Sequence, residues 1–154
     1  VSGTGTYTAE DVRLALVAQV QTIKTPANVE LFRHARLFFL GVVGQGAQIG
    51  DRIFDVQTGE TAPLRANIGV EWVSGVYTVR LRHRAPTLAS AEGTKLWSED
   101  CDQVINRIRA GAPFPSDIVV RWVKRNAPVK AKDFVDTDLV FACQYWRSTT
   151  GGAP

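Results

Sequence analysis

Apolar and polar positions alternate through Pro63 to Pro86, PLRANIGVEWVSGVYTVRLRHRAP, in two runs joined by Ser74-Gly75. A two-residue link containing Gly between alternating runs predicts a β-hairpin. With Val73 facing Val76, Trp72 meets Tyr77, Val70 meets Val79 and Ile68 meets Leu81, which makes one apolar face. On the other face Glu71 lies opposite Thr78, Gly69 opposite Arg80, Asn67 opposite Arg82, and Arg65 opposite Arg84. The expected hairpin buries one face and carries arginines on the other.

The remaining elements follow from the same patterning. Val1 to Tyr7 is rich in Gly, Ser and Thr and reads as a flexible arm. Thr8 is a helix N-cap, with Glu10 and Asp11 in the first turn. Val12, Leu16, Val20 and Ile23 recur at helical spacing, so a helix is expected over 9–23 before Pro26. The segment Val29 to Val43 fits either a helix (Leu31, Ala35, Phe38) or a buried strand over 34–43. The strand is the preferred reading. A short strand at Arg52 to Gln57 and a turn at Thr58-Gly59-Glu60 precede the hairpin. After Pro86 a small-residue connector leads to Ser98, which caps a second helix over 99–110. Its apolar stripe is Cys101, Val104 or Ile105, and Ile108, and Gly111 closes it. Asp117 to Arg125 and Asp138 to Ser148 alternate as strands, separated by a polar loop over 126–136. Leu139, Phe141, Cys143 and Tyr145 form the better apolar face of the last strand, and Trp146 falls on its second face. Residues 149–154 read as a flexible tail. The order predicts one α+β domain over 8–148: an antiparallel (mixed) sheet with a long hairpin and both helices packed on one face.

Composition narrows the functional classes. The 154 residues include 45% apolar and 21% charged residues, a normal composition that supports one core. The net charge of +3 is modest for a dedicated nucleic-acid binder, so clustering of charge matters more than its sum. Cys101 and Cys143 belong to no CxxC or Cys/His cluster, which predicts reduced, buried thiols in a protein made in the cytoplasm. The chain has no Met and begins at Val1, consistent with loss of an initiator Met. Val1 to Tyr7 shows no signal-peptide pattern. No apolar run approaches the ~20 residues that span a bilayer, so no membrane partner is expected.

Candidate chemistry is sparse, and neither an enzyme, a cofactor nor a metal is expected. Gly44, Gly46 and Gly50 miss the dinucleotide spacing by one residue and read as a loop. His34 and His83 are the only histidines, too few for a metal site without other ligands. Glu99, Asp100 and Asp102 at a helix start suit the helix dipole. Asp133, Asp136 and Asp138 read as solvated charge. The arginines remain: Arg80, Arg82 and Arg84 on one strand face with Arg65 beside Arg84, and Arg121 with Arg125 on a face of another strand. Adjacent like charges repel unless anions or carboxylates offset them. These residues, with Trp146, are the candidates for a subunit interface or a DNA-facing channel. The alternative is a nucleic-acid-binding α+β module using the same face.

Taken in order, TAEDVRLALVAQV, ANIGVEWVSGVYTVRLRHR, SEDCDQVINRIRAG, SDIVVRWV and TDLVFACQYWRS resemble the architecture of the tail terminator, or tail completion, proteins of long-tailed bacteriophages. The resemblance lies in element order and carries no diagnostic residue. It implies a structural virion protein, assembled in the host cytoplasm, whose subunits form a ring, commonly a hexamer. Its partners would be itself, the tail tube protein and the head–tail connector. Genomic DNA would pass through the ring without sequence-specific binding.

Overall fold

The structure, a computed structural model, describes residues 5–38, 52–110 and 115–149, the side chains of 87 and 88 excepted. Helix α1 spans Ala9–Gln21. Thr8 caps it reciprocally: its hydroxyl accepts from the Asp11 amide, and the Asp11 carboxylate accepts from the Thr8 amide. Helix α2 spans Ala91–Ala110. Six strands follow the order β1 (Arg33–His34), β2 (Ile53–Asn67), β3 (Val70–Arg84), β6 (Phe134–Ser148) and β4 (Val119–Arg125), with β5 (Val129–Lys130) also paired to β6. Only β1–β2 is parallel; the other pairs are antiparallel. The domain is therefore α+β, with a mixed sheet and both helices on one face.

Alternation explains the core. Val73, Tyr77, Val79 and Leu81 of β3 share a face with Leu139, Phe141, Cys143 and Tyr145 of β6. Against them pack Val12, Leu16 and Val20 of α1 and Cys101, Val104 and Ile108 of α2. Each such side chain contributes about 1.5–3 kcal/mol when fully buried. Buried Gln19 donates to the Arg107 carbonyl at 2.8 Å and ties the two helices together.

The hairpin turns elsewhere than the sequence suggests. Its link is Ile68-Gly69, with Asn67 opposite Val70 and Gly69 at φ +80°. Ser74 and Gly75 lie within β3, opposite Gln144 and Cys143. Two-residue Gly links at either point satisfy the local chemistry; the third strand decides between them. With the turn at Ile68-Gly69, β3 can pair along its whole length with β6, from Val70↔Ser148 to Arg84↔Phe134. Gly75 serves a different need. A Cβ there would lie 2.9 Å from the Tyr77 ring, which is buried and hydrogen-bonded to the Tyr145 hydroxyl at 3.0 Å. Tyr77, Val79 and Leu81 face the core as expected, whereas Trp72 lies on the opposite face.

Other boundaries shift for local reasons. Thr58 to Thr61 forms a bulge within β2 instead of a turn. Helix α2 begins eight residues earlier than the expected start at 99. Ser90 receives the Gly93 amide on its hydroxyl and the Thr94 amide on its carbonyl, so Ser98 is internal. The loop expected over 126–136 contains β5 and the start of β6. Among the described residues of the strand expected over 34–43, His34 pairs in β1 with Arg33 before it, Ala35 still donates to the Phe54 carbonyl, and the Leu37 amide donates to the Asp55 carboxylate instead of a backbone ladder. Residues 39–43 and the Gly44, Gly46 and Gly50 loop lie outside the described residues, as do residues 1–4 and 150–154 of the termini.

Gly75→Ala is expected to lose about 2 kcal/mol of stability through overpacking against Tyr77, read as a lower urea midpoint at unchanged m-value. An unchanged midpoint would contradict the close passage of that ring.

Candidate interaction surface

The sheet face away from the helices divides into two regions. In the first, beside the β1 end, the arginines are matched by carboxylates. Arg80 stands opposite Asp138 and Arg82 opposite Asp136. Both pairs are bidentate, at 2.8 and 3.0 Å for Arg80 and 2.7 and 2.9 Å for Arg82. The Arg80 guanidinium lies 4.3 Å from the Phe38 ring centroid, and that of Arg82 3.6 Å from Phe134. The bond from Asp138 raises the Arg80 pKa, outweighing burial. Arg82 is only 7% exposed. These two arginines are committed to the fold, and Asp136 and Asp138, expected as solvated charge, are their counterions. The signal was present in the sequence: Asp136 and Asp138 repeat at the same two-residue spacing as Arg80 and Arg82.

The remaining candidates separate. Arg65 is opposite Trp72, not beside Arg84, because the turn is at Ile68-Gly69. Arg84 lies at the far end of β3, opposite Phe134. Arg121 and Arg125 are on different faces. A bulge between Trp122 and Lys124 changes the parity of β4, so Arg121 is opposite Ala142 and Arg125 opposite Leu139. Arg125 then stacks on the Trp97 ring of α2 at 4.9 Å.

The second region holds Arg65, Arg121 and Trp146 together with Trp72, which sequence reasoning had assigned to the core. Trp72 and Trp146 meet edge to face, with ring centroids 5.2 Å apart, and the Arg65 guanidinium lies 5.3 Å from the Trp146 ring. Both indoles are only half-buried. Val76 and Val119 flank them on the same face, and Leu64 and Ile68 project at the hairpin end, Ile68 being 103% exposed. Among the described residues nothing covers this region, whereas Leu37 and Phe38 lie against the arginine region. Clustered, half-exposed Trp and Arg are the residue types that dominate protein interfaces. The arm's edge is tied down by Tyr7. Its amide donates to the Trp146 carbonyl at 2.8 Å and its hydroxyl to Asp117, and Gly5 also donates to Asp117.

His83 and both thiols are buried, whereas His34 is exposed. His83 is fully buried and bonds Asp100 at 2.8 Å, while Arg52 donates to both oxygens of that carboxylate. Asp100 lies mid-helix, so the dipole role expected for Glu99, Asp100 and Asp102 does not apply. His34 bonds Asp55 at 3.0 Å. Burial pushes the Cys101 and Cys143 thiols up to about 11 and about 12, which keeps them protonated at neutral pH. Among the described residues no group of His, Cys, Asp and Glu could hold a metal ion, and no helix is long and apolar enough to cross a membrane. An open cleft of about 590 Å³ lies between α2 and the Lys24–Leu31 segment.

The chain matches no family model and no curated protein.

Asp136→Ala removes a bidentate carboxylate from a nearly buried guanidinium and is expected to cost about 3 kcal/mol in chemical unfolding. A loss below about 1 kcal/mol would class the pair with ordinary surface ion pairs. The bond to Asp117, with burial, raises Tyr7 from its ordinary value to about 12. The stability this bond contributes is complete below about pH 10 and is lost as pH rises through about 12. In a tyrosinate absorbance titration, Asp117→Asn is expected to bring down the step that Tyr7→Phe abolishes.

Proposed function

We propose that the protein is a structural assembly subunit that closes into a ring, as its resemblance to phage tail terminators implies. In that role the ring ends the tail tube at its head-proximal side and meets the head–tail connector, with DNA passing through its centre. The reading is supported chiefly by the half-exposed Trp72–Trp146–Arg65 cluster, flanked by Val76 and Val119. A ring needs a heterologous contact that closes on itself. Pairing of sheet edges between subunits is the weaker route. The outer edge of β2 carries Pro63 and two irregularities, and β4 is short and bulged, the features that discourage strand addition. Side-chain contact through the tryptophan face is the better one.

A nucleic-acid-binding role is the second reading. It retains Arg65, Arg121 and Lys124 on the exposed face but loses Arg80 and Arg82 to aspartates, so its positive surface is small.

Negative-stain microscopy with mass photometry tests the assignment. Closed rings of uniform size are expected, and Trp72→Ala with Trp146→Ala should leave a folded chain whose self-association weakens about 30-fold, equivalent to about 2 kcal/mol. A strict monomer that binds DNA with steep salt dependence would transfer the assignment to the second reading.

A further inference from the structure

We propose that the hairpin tip of one copy seats in the α2 cleft of a second copy; this rests on the assembly reading above. The tip is an apolar turn, held by the Thr149 amide on the Gly69 carbonyl, with one exposed cation beside it whose guanidinium lies over the Trp146 ring. Leu64 is 54% and Ile68 103% exposed, and Arg65 is the one charged residue between Pro63 and Val70. The cleft has complementary chemistry. Pro26, Leu31 and Leu96 provide apolar surface, while Glu99 and Asp102 supply carboxylates. Arg52 and Asp100 neutralise one another within it, which leaves two carboxylates against Lys24. The exposed Lys95–Glu99 pair, at 3.8 Å, screens Glu99 little. Among the described residues the cleft is a broad, open groove, a form suited to an exposed apolar turn.

The tip cannot fill its own cleft. Arg52, in the cleft, immediately precedes β2, and the tip follows the last residue of that 15-residue strand. At about 3.3 Å per residue the two ends lie roughly 45 Å apart. The contact is therefore between copies, and it is head-to-tail: each subunit offers a tip and a cleft. Such contacts produce rings or filaments according to whether the rotation closes, and a two-fold dimer where two copies exchange tips reciprocally. The tryptophan cluster lies on the same arm, so docking of the tip would bring it against the neighbouring subunit.

Site-directed cross-linking decides the matter. Ile68→Cys and Gln103→Cys are prepared as separate, differently tagged full chains, mixed and mildly oxidised. Cys101 and Cys143 are buried and provide the unreactive background. A disulfide-linked pair containing both tags is expected, with neither variant linking to itself. In a second arm, Arg65→Glu should weaken self-association at least tenfold, and adding Glu99→Arg and Asp102→Arg to that chain should restore it. Wild-type rings without the mixed cross-link and without a charge response would overturn the seat while leaving the ring reading intact. Ile68→Cys self-links would replace the seat by a tip-to-tip contact. A wild-type chain monomeric at the highest attainable concentration would overturn both.

Discussion

The register between β3 and β6 is the constraint on which the rest of the structure depends. Both strands have fifteen residues and pair over their full length. Because side chains alternate, a slip of one residue would turn Tyr77, Val79 and Leu81 away from the helices and bring Arg80 and Arg82 into the core. The two bidentate Arg–Asp pairs penalise that slip from the opposite face, since each guanidinium finds its carboxylate only in the observed register. Buried ion pairs are weak evidence for net stability. Here their physical consequence is specificity of pairing, with the apolar core supplying the free energy.

That division of labour shapes both faces of the sheet. Where carboxylates match arginines, Leu37 and Phe38 can lie against them, and the charges are largely removed from solvent. Toward the hairpin end the charge pairs cease on this face, and two indoles and Arg65 take their place. The arginine-rich strand expected to define the surface thus defines the fold, and a tryptophan pair defines the surface. On the helix side the same alternation buries His83 against Asp100 and places Cys143 in the core, where Cys101 of α2 is also buried. His83 and both thiols are accordingly inaccessible to solvent, while His34 is exposed.

Much of the architecture was legible from the chain alone, for physical reasons that act over short range. Helix α1 was readable because capping and a 3.6-residue period are local. The apolar faces of β3 from Tyr77 onward and of β6 were readable because alternation is local. The start of α2 was not, because Ser90 and Ser98 are both competent caps and the helix extends to the earlier one. The hairpin was misplaced for a related reason: Ser74-Gly75 and Ile68-Gly69 are both acceptable links.

Sequence by itself determined the α+β class, the two amphipathic helices and which residues of the last strand enter the core, since each depends on neighbours a few positions away. Only the tertiary structure decided the turn, the pairing of Arg80 and Arg82 with Asp138 and Asp136, the separation of Arg121 from Arg125, and the meeting of Trp72 with Trp146. Those outcomes depend on pairing between segments more than fifty residues apart or on a single bulge that reverses parity, and periodicity within one strand carries no information about either.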